Sequence, residues 1–171
     1  MNLSAASLRE FSARAEASAG AGFFEGFTED DLNALADRLE GVALIGGEAL
    51  GVGGTLWLVL EGTVVVQHVC AGQLPVDLGP LGPGSFFGHL GLLLAIEEPT
   101  IATALGPAVC ARMGAVALQR WTESGELAAV KFHRLLARCM VRALRSANGR
   151  LADLAARPEL REYARRRGVV G

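Results

Sequence analysis

From residue 42 to about residue 113, glycines recur every few residues between short apolar runs, and no stretch holds a helical period for long. Each glycine inside a helix costs about 1 kcal/mol, so a chain punctuated this often does not build long helices. Short strands joined by tight turns place glycine where it belongs, and the segment reads as a β-structure of many short strands. Residues 55 to 60 and 63 to 66, joined at Glu61-Gly62, read as a hairpin whose turn takes its positive φ from Gly62. Residues 78 to 84, with Pro80 and Pro83, read as a rigid loop between strands. The apolar run from 89 to 96 is too short to assign by period.

Helical signals flank this region. Residues 1 to 22 carry a short amphipathic pattern, Leu8, Phe11 and Ala15, that stops at Gly20 and Gly22. Thr28 precedes Glu29, Asp30 and Asp31 and then Leu32, Leu35 and Leu39, which is a side-chain N-cap, an acidic first turn and one apolar face. Beyond Met113, residues 118 to 124 fit a short helix, and residues 126 to about 154 a long one of roughly 40 Å at 1.5 Å per residue. Phe132, Leu135, Leu136, Cys139, Met140, Ala143, Leu144, Ala147, Leu151 and Leu154 line one side of it. Such a helix outruns what a small β-domain covers, so a homodimer is expected, with Phe132, Leu136, Met140, Ala143, Leu144, Ala147 and Leu151 against their own copy.

With 171 residues, 51% of them apolar, the chain suffices for one domain with a substantial core but not for two. Sixteen basic against 18 acidic residues leave a net charge of -2, which excludes a globally basic nucleic-acid binder. The balance is uneven: residues 1 to 120 carry five arginines and 13 acids, residues 121 to 171 eleven bases and five acids. Arg9, Glu10, Arg14 and Glu16 interrupt the N-terminus where a secretion signal needs an apolar stretch, and three cysteines are too few for a disulfide scaffold. A cytoplasmic protein with reduced thiols is expected. Residues 55 to 66 and 90 to 96 are too short to span a bilayer.

Taken in order, helix, glycine-punctuated strands, apolar strand pair, Pro-Gly loop and long terminal helix resemble the cyclic-nucleotide-binding domain of catabolite-activator-like regulators and kinase regulatory subunits. Residues 24 to 39 resemble its opening helix, Gly47-Glu48 the Gly-Glu that opens a core strand, and residues 56 to 66 its strand, turn, strand. Leu81-Gly82-Pro83-Gly84-Ser85-Phe86-Phe87-Gly88 is similar to the loop leading into its phosphate-binding cassette. The resemblance spans about residues 23 to 150. It implies an α+β fold, a jelly-roll-like β-barrel flanked by an N-terminal helix and a long C-terminal helix. Residues 1 to 22 are then an N-terminal extension, 23 to 156 the domain with its long helix, and 157 to 171 a basic tail.

The resemblance also implies a ligand cassette at Phe87, Gly88, His89, Leu90, Thr100, Ile101 and Ala102. Two of these depart from the family pattern. His89 stands where the family has a glutamate that accepts from the ribose hydroxyl, and Thr100 where an arginine pairs with the cyclic phosphate. A charge-assisted contact to phosphate contributes roughly 1.5 to 3 kcal/mol, so loss of the arginine weakens nucleotide binding by about ten- to a hundredfold. Ile101, in place of a small hydroxylated residue, is expected to intrude into the pocket, and His89 reads either as a substitute ligand contact or as an ordinary polar residue facing solvent. The cassette reads as vestigial, and no cofactor is expected.

Other chemistry finds little support. His68, Cys70 and Asp77 offer metal-binding atom types but too few convergent ligands, so no metal is expected. Gly51-Val52-Gly53-Gly54 lacks the Gly-Lys-Ser/Thr of a phosphate loop, and neither serine nor cysteine sits in a nucleophile context. No catalytic residue is expected. Arg134, Arg138, Arg142 and Arg145 form a row at helical spacing, continued by Arg157, Arg161, Arg165, Arg166 and Arg167, and read as a docking surface for an acidic partner or nucleic acid, or as a solvated face. About twenty residues after the long helix leave no room for a helix-turn-helix, so sequence-specific DNA reading is not expected. The sequence therefore points to a stand-alone, non-enzymatic regulatory or scaffold module acting through protein contacts as a dimer. The alternative is a sensor that binds a cyclic nucleotide or related anion in an altered pocket and signals through the long helix.

Overall fold

A computed structural model describes residues 3–19, 23–69, 74–89, 91 and 99–166. The chain divides into two units, Met1–Leu136 and Ala137–Gly171.

In the first unit, α1 (Ala5–Ala19) and α2 (Glu29–Ala36) precede eight strands: β1 (Glu40–Leu44), β2 (Ala49–Gly51), β3 (Thr55–Glu61), β4 (Val64–His68), β5 (Val76–Leu81), β6 (Phe86–Phe87), β7 (Thr100–Ala104) and β8 (Ala108–Gly114). A short helix α3 (Ala115–Glu123) and the beginning of the long α4 (Leu127–Ala156) complete it. The strands form two antiparallel sheets, ordered β1-β8-β3-β6 and β2-β7-β4-β5. This is the expected jelly-roll-like α+β fold, built as two separate sheets and not as a barrel closed by hydrogen bonds among the described residues.

Alternation along β3 explains the layers. Trp57 and Val59 face the space between the sheets with Val64, Val66, Phe87, Ala102, Ala104 and Cys110. Leu56, Leu58 and Leu60 point the other way and are equally buried. Helical and loop aromatics cover that outer face: Phe86 stacks on Phe23 and meets Phe132 of α4 edge-on, and Phe132 packs on Trp121 of α3. The N-terminal amphipathic pattern forms α1, whose Leu8 and Phe11 are buried, Phe11 against Phe23. Thr28 caps α2 as expected, and Asp31 closes a capping box: Thr28 Oγ1 accepts from Asp31 N, and Asp31 Oδ2 accepts from Thr28 N.

Two readings of the strands need correction. Residues 55 to 66 are not a hairpin, because β3 pairs with β6 and β8 whereas β4 pairs with β5 and β7. The Glu61-Gly62-Thr63 turn instead carries the chain from one sheet to the other. Gly62 does have positive φ, +77°, and a Cβ there would lie 2.5 Å from the Pro107 carbonyl oxygen, so the crossing is also too tight for a side chain. Nor is the stretch 78 to 84 wholly loop: β5 runs through Pro80 to Leu81. β5 is an edge strand, paired only with β4 among the described residues, and an edge tolerates a residue without an N–H.

The short helix after β8 begins at Ala115, three residues before the expected start, and α4 spans Leu127–Ala156 against an expected 126 to 154. In the second unit, α4 continues to Ala156. Pro158 then opens α5 (Pro158–Arg166) in the segment expected to be a tail, proline being well suited to a first helical position.

Candidate functional site

The Gly82-Pro83-Gly84 turn delivers the chain onto β3. Gly84 N donates to Val59 O and Val59 N to Ser85 O, both at 3.0 Å, and β6 then pairs Phe86 with Leu58 and Phe87 with Trp57. Phe87 lies parallel to the Trp57 ring, centroids 6.0 Å apart, inside the sandwich. Gly88 follows at φ +75°, and a Cβ on it would fall 2.1 Å from the Thr55 carbonyl oxygen. The Phe-Phe-Gly run is thus fixed by packing on both sides of the sheet and by a close backbone approach that only glycine permits. Helical backbone begins at His89. Leu90 and most of the apolar run expected at 89 to 96 lie outside the described residues.

The second half of the cassette is β7. Thr100 sits opposite His68, Ile101 opposite Gln67 and Gly51, and Ala102 opposite Val66 and Leu50. Ala102 is fully buried between the sheets, so Thr100, two residues earlier, shares that inward face. Ile101 points outward and is 42% exposed, which corrects the expectation that it fills the pocket. The register decides this: a residue between two inward positions must face away. Thr100 Oγ1 is buried with no hydrogen-bond partner among the described residues. His89 is half-buried with its Nδ1 enclosed, which departs from the solvent-facing reading of the two.

Electrostatics around the cassette follow from where the cations went. In the first unit, Arg9 pairs with Glu29, Arg14 with Glu61, Arg38 with Glu126, Arg112 with Glu40 and Lys131 with Asp31. Arg112 takes Glu40 in a two-pronged contact, Nε and Nη2 at 2.9 and 3.0 Å, with its guanidinium over Trp57. The two positions expected to face a ligand hold the imidazole of His89 and the hydroxyl of Thr100, and these five cations are engaged with carboxylates. Of the atom types considered for metal, Asp77 accepts from Gln67 Nε2 at 2.6 Å, while His68 alternates to the opposite face and Cys70 lies outside the described residues. Cys110 is buried between the sheets, and burial pushes its thiol up to about 11, far from a nucleophile's range.

The residues expected at an interface divide. Phe132 and Leu136 are not available to a second copy, because both are buried within the first unit, Phe132 between Phe86 and Trp121. Met140 and Ala147 are half-buried, whereas Ala143, Leu144 and Leu151 are exposed, the two leucines to 61% and 63%. Val141 and Leu154 are exposed apolar neighbours that the expected set omitted. Of the arginine row, Arg134, Arg142 and Arg145 are exposed and Arg138 half-buried; Arg166 pairs with Glu162. Arg167 and the side chain of Arg165 lie outside the described residues.

No protein-family model matches the chain. Solved structures do. A cyclic nucleotide-binding domain from Methylobacillus flagellatus matches 90% of this chain with 88% of its own length, TM-score 0.72 and 18% identity. The Thermus thermophilus catabolite activator protein matches 78% of the chain, TM-score 0.59 and 24% identity. The regulatory domain of Toxoplasma gondii PKA, crystallised with cAMP, matches 76%, TM-score 0.56 and 17% identity. The chain spans 62% of the Thermus protein and about half, 49%, of the Toxoplasma domain. The two antiparallel sheets and the long terminal helix are those of the cyclic-nucleotide-binding-domain fold, and the chain has that fold.

Proposed function

We propose that this chain is a non-enzymatic regulatory or scaffold module that does not hold cAMP or cGMP in the usual way and acts through protein contacts as a homodimer. The observation that carries the reading is Thr100: it occupies the inward cassette position at which the family resemblance places an arginine, and a hydroxyl supplies no charge to a cyclic phosphate. The apolar side chains of Ala143, Leu144 and Leu151 in the second unit support the second copy, since helices with such a stripe bury it by pairing. Calorimetric titration with cAMP, cGMP and cyclic dinucleotides tests the first half, with no saturable binding expected below about 1 mM. Light scattering tests the second, and a monomer at high micromolar concentration overturns it.

A sensor is the second reading, favoured by the same side chain. A buried hydroxyl without a partner among the described residues is rare in a native fold, and a bound molecule offering an acceptor would satisfy it. Saturable submillimolar binding of an anionic nucleotide in the titration above, abolished by Thr100→Val, replaces the scaffold with a receptor.

A further inference from the structure

Between Arg38 and Arg112 the sequence holds no lysine or arginine, and β1 to β7 lie wholly inside that stretch. The basic side chains within it are those of His68 and His89. β4 carries His68 to the cassette. It stands directly opposite Thr100 of β7, in a register that runs without a shift from Val64 to His68. Val66 and Ala102, two residues along the same strands, are buried between the sheets, so His68 shares the inward face with Thr100. Side chains paired in this way have Cβ atoms about 4.5 to 5.5 Å apart. His68 is half-buried and its imidazole makes no hydrogen bond or ion pair among the described residues, and the Thr100 hydroxyl beside it has no partner among them either.

A β-bulge completes the row. β5 inserts Leu78 between Gly79, opposite Val66, and Asp77, opposite Gln67. Gly79 allows it with φ +107°, a conformation that residues with side chains rarely adopt. The extra residue turns Asp77 outward, where it accepts from Gln67 Nε2, and sets Val76 beside His68 in its place. Thr100, His68 and Val76 therefore form one row across β7, β4 and β5, open to solvent at Val76, which is 52% exposed. The row contains a hydroxyl, an imidazole and a hydrocarbon, and neither a carboxylate nor a lysine or arginine.

Taking Thr100 as a receptor residue, as in the second reading above, we infer that Thr100 and His68 together bind the vicinal diol of an uncharged sugar, free or within a nucleoside, and not a phosphate. A hydroxyl and a neutral imidazole each donate one hydrogen bond and accept another, which is what two adjacent hydroxyl groups offer in return. Val76 presents hydrocarbon to the ring carbons. An anion finds no counter-charge here: five of the seven bases in residues 1 to 136 are paired with carboxylates, and the other two, Arg120 and Arg134, stand exposed on α3 and α4. Against those seven stand 15 acids, whose field repels negative charge and leaves a neutral ligand unaffected.

Calorimetric titration of the parent chain separates diol from charge and sugar from base. Adenosine has the diol and no charge, ribose the diol without a base, and dideoxyadenosine the base without either ring hydroxyl. Adenosine monophosphate has the diol with a charge, and cAMP a charge with one of the two hydroxyls esterified. Adenosine is expected to saturate below about 1 mM, and dideoxyadenosine and adenosine monophosphate to bind at least about tenfold more weakly. Ribose binding as well as adenosine assigns the site to the sugar alone, and ribose binding more weakly assigns it to a nucleoside; either upholds the diol. His68→Leu and Thr100→Val, each checked for parental far-ultraviolet circular dichroism, are expected to lose about tenfold in adenosine affinity and to narrow the gap between adenosine and dideoxyadenosine. A general loosening of the strands does not narrow that gap, and the parent series decides by itself should a variant fail to fold. Adenosine no tighter than dideoxyadenosine, adenosine monophosphate tighter than adenosine, or folded variants that bind like the parent each overturn the inference. cAMP binding tightest, and lost in Thr100→Val, overturns it too but leaves the receptor standing with an anionic ligand. No saturation by any of the compounds removes both and leaves the scaffold.

Discussion

Lys131, the one lysine of the chain, donates to Asp31 Oδ2, the same carboxylate oxygen that accepts from the backbone N–H and the hydroxyl of Thr28. One side chain thereby completes the cap of α2 and ties that helix to the first turns of α4. A neighbouring set repeats the connection. Arg38, at the end of α2, reaches Glu126 at 2.7 Å and lies over Trp121, whose Nε1 donates to the other oxygen of Glu126. The root of the long helix is held to α2 at two points.

Burial opposes the charge of Asp31, but the hydrogen bonds from Lys131 and Thr28 outweigh it and hold the carboxyl below its ordinary range. A depressed carboxyl contributes stability that is complete above its unfolded value of about 4 and is lost as pH falls through the lower folded value. The parent is therefore expected to lose stability below about pH 4, and Asp31→Asn to show a smaller loss over that window. At pH 7 the variant should be about 1 to 3 kcal/mol less stable, with Lys131 left nearly buried and unpaired. Urea midpoints at pH 7 and pH 3 decide it; equal pH dependence in both proteins rules the account out.

Gly62 and Gly47 separate strain from space. Both have positive φ, +77° and +84°, but a Cβ at Gly47 meets nothing within 4 Å, while at Gly62 it strikes the Pro107 carbonyl oxygen and Ala108. Gly47→Ala is expected to cost about 1 kcal/mol, the left-handed penalty alone, and Gly62→Ala at least about twice that. Chemical denaturation of the two variants checks the order, and equal costs contradict the crossing geometry.

Phe132 and Leu144 lie on one helix stripe by sequence and have opposite roles in the structure. Phe132→Ala opens a cavity between Phe86 and Trp121 and is expected to cost about 3 to 5 kcal/mol. Leu144→Asp leaves stability within about 0.5 kcal/mol and shifts the mass toward monomer. A destabilised Leu144→Asp, or one that dimerises as before, argues against the exposed stripe as the pairing face.

These residues show what the sequence carried. Thr28 and its acids announced α2 because capping is local, and the 3.6 period announced α4 because every turn repeats it. The period names the side of a helix but not what covers it, so Phe132 and Leu136 were grouped with Leu144 although the core takes the first two. The Glu61-Gly62 turn looked like a hairpin because a glycine turn is the same signal whether its strands pair or part; β3 and β4 part because each finds its partners in β6, β8 and β5, β7. At the cassette, resemblance located Thr100, while only the register showed that it faces inward and Ile101 outward. Arg38 and Glu126 are 88 residues apart, a pairing no local pattern announces.

Cys110 and Cys139 give a final check on the packing. Cys110 lies between the sheets with its thiol at about 11, so at pH 8 roughly one molecule in a thousand would carry thiolate even if reagent could reach it. Cys139 is half-buried; burial raises its thiol, and Arg142 and Arg138 pull it back. Alkylation at pH 8 followed by peptide mapping is therefore expected to modify Cys139 in the folded protein and Cys110 only through global unfolding. In the Phe132→Ala variant, modification of Cys110 should accelerate about tenfold for each ~1.4 kcal/mol of lost stability, because the open state becomes more populated while the native site stays closed. Modification of Cys110 as fast as Cys139 in the folded parent means the sheets part without unfolding the helices, and that defeats the description of β3 as the strand buried on both faces.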